Sequence, residues 1–154
     1  MNAPSLKEEI ALTITRVLAA PREMVFKVWT TPEHLARWWG PKDFTAPSIA
    51  ADFHEGGAWR SCIRSPEGQS YWARGIYREI VPPSRIVFTF AWEEEGALDT
   101  LITVTFEQVA GGTRLTFRQA PFATVESRDS HAEGWGECMD RLDAYVVALK
   151  EDIQ

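Results

Sequence analysis

Cysteine is scarce in this chain. The 154 residues hold 2, Cys62 and Cys138, too few for a disulfide scaffold. One falls in a strand pattern and the other in a helical pattern, and both read as small buried hydrophobes. Residues Met1 to Glu9 are polar and are expected to fray. They lack the apolar segment of a secretory signal, and no stretch approaches the ~18 apolar residues of a membrane span. Free thiols without an export signal make the cytoplasm the expected location. Basic clusters are missing as well. The formal charge is −6, from 16 Lys and Arg against 22 Asp and Glu. Neither nucleic acid nor a membrane is therefore an expected partner, since both call for a basic face. Histidine is rare, with 3 in the chain. His34 and His54 have no second ligand at metal spacing, so no metal is expected. A phosphate loop, a nucleophile elbow and a Cys/His pair at motif spacing are all absent. No cofactor is expected.

Aromatic residues are plentiful, with Trp 7 and Phe 8 in a chain that is 45% hydrophobic and 25% charged. That composition is globular, and large rings favour a packed or ligand-lined interior. Ile10 to Leu18 alternates, with Ile10, Leu12, Ile14 and Leu18 on one face and Arg16 among them, which predicts a first strand. Ala20-Pro21-Arg22-Glu23 starts a helix with Met24, Val25, Val28 and Trp29 as its apolar stripe. Thr31-Pro32-Glu33 starts a second short helix, with Thr31 as N-cap and Gly40-Pro41 as its stop. Strands follow near Phe44 to Phe53, Trp59 to Arg64, Ser70 to Ile80, Ile86 to Trp92, Leu101 to Val109 and Thr113 to Gln119. Turns at Glu55-Gly56-Gly57, Ser65-Pro66-Glu67-Gly68 and Ala110-Gly111-Gly112 separate several of them. Ile86, Phe88, Phe90 and Trp92 point one way, because side chains alternate along a strand. After Pro121 the period changes. Ser127 to Lys150 reads as one long helix burying His131, Trp135, Cys138, Met139, Leu142, Val146 and Leu149.

Strands grouped together with helices apart from them define an α+β fold. The expectation is one domain over 1–154, with a core from about 10 to 150. A curved antiparallel sheet of about seven strands wraps the C-terminal helix, and the first strand pairs with the last.

Motifs in this order carry a family likeness: Thr15-Arg16, Ala20-Pro21, Trp38-Trp39-Gly40-Pro41, Gly56-Gly57 and Ser65-Pro66-Glu67-Gly68. They continue in Val81-Pro82-Pro83-Ser84-Arg85-Ile86 and His131-Ala132-Glu133-Gly134-Trp135. The chain resembles the helix-grip fold of the birch-pollen-allergen and START-domain superfamily, SRPBCC. Within it the chain is similar to the activator of heat-shock-protein-90 ATPase homologues, from about Ile10 to Leu149. The resemblance implies a hydrophobic cavity between sheet and terminal helix. It implies a binder of lipids, sterols, polyketides or hormones, or a cyclase using the same cavity. Fold alone does not carry a function across.

Two readings stand for Trp38 and Trp39, a lid over a cavity mouth or an anchor of helix to sheet. Phe53, Trp59, Phe88, Phe90, Trp92, Val104, Phe106, Leu115 and Phe117 form the inward stripe, mostly core, with some members lining a cavity. Trp72, Trp135 and Met139 join the candidate ligand-binding residues. His131 lies one helical turn before Trp135. It reads either as a ligand contact or general acid/base, or as a helix-start histidine held by local backbone or water. Arg16, Arg74 and Gln119 fall near apolar strand faces. A buried arginine there needs a partner, with Glu133, Glu137 and Asp140 available on the last helix, unless these chains reach water at the sheet edge.

Three functions follow as expectations. The first is a small hydrophobic ligand-binding domain, with binding expected ahead of catalysis. The second is a polyketide cyclase or dehydratase in which His131 with Arg74 or Glu137 moves a proton. The third is a protein-interaction module, with a chaperone or a second copy of the chain as partner.

Overall fold

The computed structural model describes residues 9–153, so the expectation for the first residues lies outside them except at Glu9. The order is β1 (Leu12–Leu18), α1 (Arg22–Trp29), α2 (Pro32–Trp38), β2 (Thr45–Ala51) and β3 (Ala58–Arg64). It continues with β4 (Ser70–Val81), β5 (Arg85–Trp92), β6 (Thr100–Val109), β7 (Gly112–Ala120) and α3 (Val125–Ile153). Every element expected from the pattern is present, with ends shifted by a few residues.

The strands form one 7-stranded sheet in the order β1-β7-β6-β5-β4-β3-β2. All neighbours are antiparallel. The first strand pairs with the last, from Leu12 opposite Gln119 to Leu18 opposite Thr113. Register shifts fall between Tyr77 and Glu79 in β4 and between Thr45 and Ser48 in β2. Such irregularities bend a strand and add twist, and here the sheet curls around α3. This is the helix-grip α+β fold.

Period-two burial sets the core. Ile86, Phe88 and Phe90 of β5, Ile102, Val104 and Phe106 of β6, and Leu115 and Phe117 of β7 are buried. From α3 they meet Trp135, Cys138, Met139, Leu142 and Val146. Each large apolar side chain so placed is worth roughly 1.5–3 kcal/mol. The α3 stripe follows its expected spacing, but His131 and Leu149 at its ends are only partly buried. In α1, Phe26 is buried with Val25, Val28 and Trp29, while Met24 is only half-buried. Phe26 turns to meet Phe106 edge-on at 5.4 Å, a contact that lies outside a strict helical stripe.

Polar contacts fix the height of α3 against the rest. Arg16 of β1 pairs with Asp140 at 2.6 Å, one of the acidic partners anticipated for it. The Arg141 guanidinium donates to the carbonyls of Trp39, Gly40 and Pro41 at 3.2, 2.9 and 3.2 Å. It thereby satisfies carbonyls left open where α2 ends. Gly40 has φ 107°, and a Cβ there would come within 3.3 Å of Ile63 and Phe44, so only glycine suits this turn. Thr31 occupies the N-cap of α2, but its side chain makes no capping bond. Its carbonyl accepts the first backbone N–H groups instead.

Candidate functional site: an aromatic cleft beside the long helix

Between the concave face of the sheet and the N-terminal half of α3 lies a void of about 390 Å³ that opens to solvent. The α2–β2 turn supplies Trp39, Gly40 and Pro41. Inward positions of β3, β4 and β5 supply Ser61, Ile63, Tyr71, Phe90 and Trp92. The helix supplies His131, Gly134, Trp135 and Cys138. A neighbouring hollow of about 190 Å³ reaches Leu98, Pro121 and Phe122. Phe90, Trp92, Glu94 and His131 border both hollows and stand between them.

The walls are rings whose polar edges are already used. Trp39 meets Trp135 edge-on at 5.3 Å, and Phe90 lies 5.8 Å from Trp135 and 5.2 Å from Trp92. The Trp39 indole N–H donates to Ser61 Oγ at 3.2 Å. Trp135 donates to Gln119 Oε1 at 2.8 Å, and Gln119 Nε2 donates to Thr100 Oγ1 at 2.9 Å. The Thr100 hydroxyl in turn donates to the Phe90 carbonyl at 2.8 Å. This buried chain joins α3 to β7, β6 and β5 and leaves none of its members unpaired, which makes it stabilising and rigid. Gln119 is thus buried and does not reach water at the sheet edge. Its partners are a tryptophan and a threonine.

His131 is held at both nitrogens. Nδ1 lies 2.8 Å from the Ser127 carbonyl, which can only accept, so Nδ1 carries the proton. Nε2 then accepts the Trp92 indole N–H at 2.9 Å. The arrangement matches the reading of a histidine held by local backbone, although the ring also borders the cleft.

The cyclase constellation is not assembled. Arg74 occupies an exposed, outward position of β4, opposite Arg60 in register. The alternation that puts Ala73 on the concave face turns Arg74 away from it. Glu137 accepts the backbone N–H of Lys42 at 3.2 Å. His131, Arg74 and Glu137 therefore do not converge on one point.

The other candidates divide. Trp39, Phe90, His131 and Trp135 border the cleft. Trp72 also borders it, but its ring carries the Arg60 guanidinium at 3.9 Å, alongside the Arg60–Glu93 pair of the outer face. That pair is bidentate, at 2.7 and 2.8 Å, and the donated bonds hold the Glu93 carboxyl below its usual range. Trp38 is no lid. It is 0% exposed, packs 4.7 Å from Trp29 and donates to the Val28 carbonyl at 3.2 Å. Val104, Phe106, Phe117 and Met139 are core residues away from the cleft. Phe53 lies half-buried against Tyr77 at 5.0 Å. Trp59 and Phe88 border a separate void of only about 20 Å³ beneath α2, room for one water-sized group. Trp29 borders it too, and its indole N–H is buried without a partner among the described residues.

Ser61, Ile63, Tyr71, Glu94, Gly134 and Cys138 are among the lining residues outside the candidate set, and Trp92 lines the cleft as a member of the inward stripe. Trp92 carried a signal, since it shares the inward face of β5. Cys138 lies at helical spacing from Trp135. Ser61 and the Gly40-Pro41 turn arrive only through tertiary packing. The Cys138 thiol is pushed up to about 12 by burial, against smaller opposing effects of the Gly40 backbone and Arg141, so it is a wall and not a nucleophile. No group of three or more metal-ligating side chains occurs among the described residues.

Comparison with known proteins gives this architecture a family. The profile described as Activator of Hsp90 ATPase homolog 1-like protein matches residues 19–147. The chain belongs to that family. The family sits within the SRPBCC, Bet v 1-like superfamily. A Chromobacterium violaceum protein of known structure is 29% identical, with a TM-score of 0.81 over 88% of this chain and 96% of its own. An AHSA1 protein from Silicibacter pomeroyi is 26% identical, with a TM-score of 0.80 over 91% of this chain and 99% of its own. A Rhodobacter sphaeroides protein is 27% identical, with a TM-score of 0.78 over 91% of this chain and 94% of its own. Comparison with curated proteins finds no match. No described helix of this family member is long and apolar enough to cross a membrane.

Proposed function

We propose that this chain binds a small hydrophobic molecule in the cleft between β3–β5 and α3. The observation that carries the reading is the void of about 390 Å³ walled by Trp39, Phe90, Trp92 and Trp135. Its size falls in the range of small-molecule sites, and its walls are mainly apolar with a few polar groups. The indole N–H groups of Trp39, Trp92 and Trp135 are committed to protein acceptors. The walls therefore offer ring surface more than hydrogen bonds, which favours an apolar occupant. Two buried free thiols, Cys62 and Cys138, suit a reducing compartment such as the cytoplasm.

Native mass spectrometry and thermal-shift screening with flavonoids, polyketides, fatty acids, alcohols and amines test the proposal. A bound species or a dose-dependent rise in Tm is expected for at least one apolar class. The Gly134→Leu variant, whose side chain enters the cleft, should abolish that response. No response from any class, or one that Gly134→Leu leaves intact, removes the proposal.

A further inference from the structure

The charges around the cleft are one-sided. Among the residues bordering it, Glu94 is the one that carries a formal charge, and no lysine or arginine borders it. Glu94 is exposed at the mouth and forms no ion pair among the described residues. Two of the cations near it, Arg60 and Arg141, are engaged elsewhere. Arg60 is held by Glu93 on the outer face, and Arg141 is spent on the carbonyls of the α2–β2 turn. The rest of the wall includes Trp39, Tyr71, Phe90, Trp92 and Trp135. Aromatic faces carry negative quadrupole density, and they attract a cation most when it sheds water among them. The chain as a whole bears a formal charge of −6.

Resting on the binding role proposed above, we infer that the cleft selects hydrophobic cations, amines and above all quaternary ammonium compounds, over hydrophobic carboxylates. An alkyl or aryl tail fills the apolar depth beside Ile63 and Trp135. The ammonium group lies among the rings of Tyr71 and Trp92, with the Glu94 carboxylate at the mouth as its counter-charge. A quaternary group has no N–H to satisfy, which suits walls whose own hydrogen-bonding atoms are engaged. A carboxylate in the same place meets ring faces and Glu94 with no cation to receive it. Both contacts oppose it.

The test is a matched set of three ligands with one tail: octyltrimethylammonium, octanol and octanoate, each measured by isothermal titration calorimetry below its aggregation concentration. Octyltrimethylammonium is expected to bind on the order of tenfold tighter than octanol, and octanoate more weakly than octanol. Glu94→Gln should narrow the ratio between cation and alcohol several-fold. Glu23→Gln, the same charge change on α1 away from the cleft, should leave that ratio unchanged. Octanol binding with no advantage for the cation, or with octanoate the tightest, overturns the inference while the binding role stands. A cation advantage that Glu94→Gln leaves intact overturns the part assigned to Glu94. Failure of all three ligands to bind overturns both the inference and the binding role for this ligand size.

Discussion

Trp92 donates its indole N–H to Nε2 of His131 across 2.9 Å, tying the end of β5 to the second turn of α3. The bond forms the partition between the larger hollow and its neighbour. His131→Leu keeps much of the ring's bulk but leaves the Trp92 N–H without its acceptor. A loss of about 1–2 kcal/mol is expected, measured by urea denaturation. A variant as stable as the parent would show that solvent already satisfies Trp92.

The Trp135–Gln119–Thr100 chain is the more deeply buried tie, since Gln119 is 1% exposed. Gln119→Leu strands the Trp135 N–H and takes a donor from Thr100. Each group left unpaired costs about 1–3 kcal/mol. Chemical denaturation should therefore show a larger loss than for His131→Leu. The reverse ranking would contradict the assigned network.

Gly75 has no room for a side chain. A Cβ there would lie 1.8 Å from the Thr89 carbonyl oxygen and 2.5 Å from Trp59 Nε1. The Trp59 indole reaches across this glycine to donate to that same carbonyl at 3.1 Å. Gly75→Ala must displace backbone and is expected to cost roughly 3 kcal/mol or more. A shift in the midpoint of urea unfolding, or loss of soluble protein, reports it. A midpoint within error of the parent's would refute the crowding.

Gly134 predicts a trade. In the helix interior, glycine costs about 1 kcal/mol relative to alanine, and a Cβ there meets only Pro41, at 3.7 Å. Gly134→Ala should therefore raise Tm while narrowing the cleft and weakening its occupant. A fall in Tm would show that α3 and the α2–β2 turn cannot part by the width of a methyl group.

His34 and Tyr145 join α2 to α3, the phenol donating to His34 Nδ1. Burial first, then the Lys27 charge, lower the His34 pKa from 6.5. The unfolded chain therefore takes up its proton first as pH falls. This contribution is fully present above about pH 6.5 and is lost as pH falls from that unfolded value through the lower folded-state pKa. Tm of the parent and of His34→Gln, compared from pH 8 to pH 5, should differ most at high pH. His54 acts in the opposite direction, its pKa raised by the Glu55 carbonyl and then by Asp52. It is common to both proteins and cancels in the difference. A gap that widens on acidification would reverse the assignment.

The sheet and helices were legible because each carries a local signal. Alternation gave β5, proline and glycine gave the ends of α2, and helical spacing gave α3. The cleft was legible only in part. Period two tells which side of a strand faces in, and so pointed to Phe90 and Trp92. It cannot tell where along the concave face side chains stop filling the space. Phe106 and Phe117 face inward as surely as Phe90, yet α1 and α3 cover them completely. Arg74 shares its row of β4 with Trp72 and Ile76, which looks apolar in sequence, yet the structure turns that row outward and leaves Arg74 exposed. On the outer face Arg60 lies on the Trp72 ring, so an apolar position there needs no core behind it. Trp38 and Trp39 are adjacent in sequence but part company at the end of α2, one into the core and one into the cleft. That separation depends on Gly40 and Arg141, and the latter lies a hundred residues away.

Trp39, Trp92 and Trp135 stand around the opening, and each indole is pinned at its nitrogen by a protein acceptor. Their emission colour should follow the wetness of that space and little else, because the rings themselves have nowhere to turn. The molecule thus comes with its own dye. A blue shift on mixing would betray an arriving guest without any label attached.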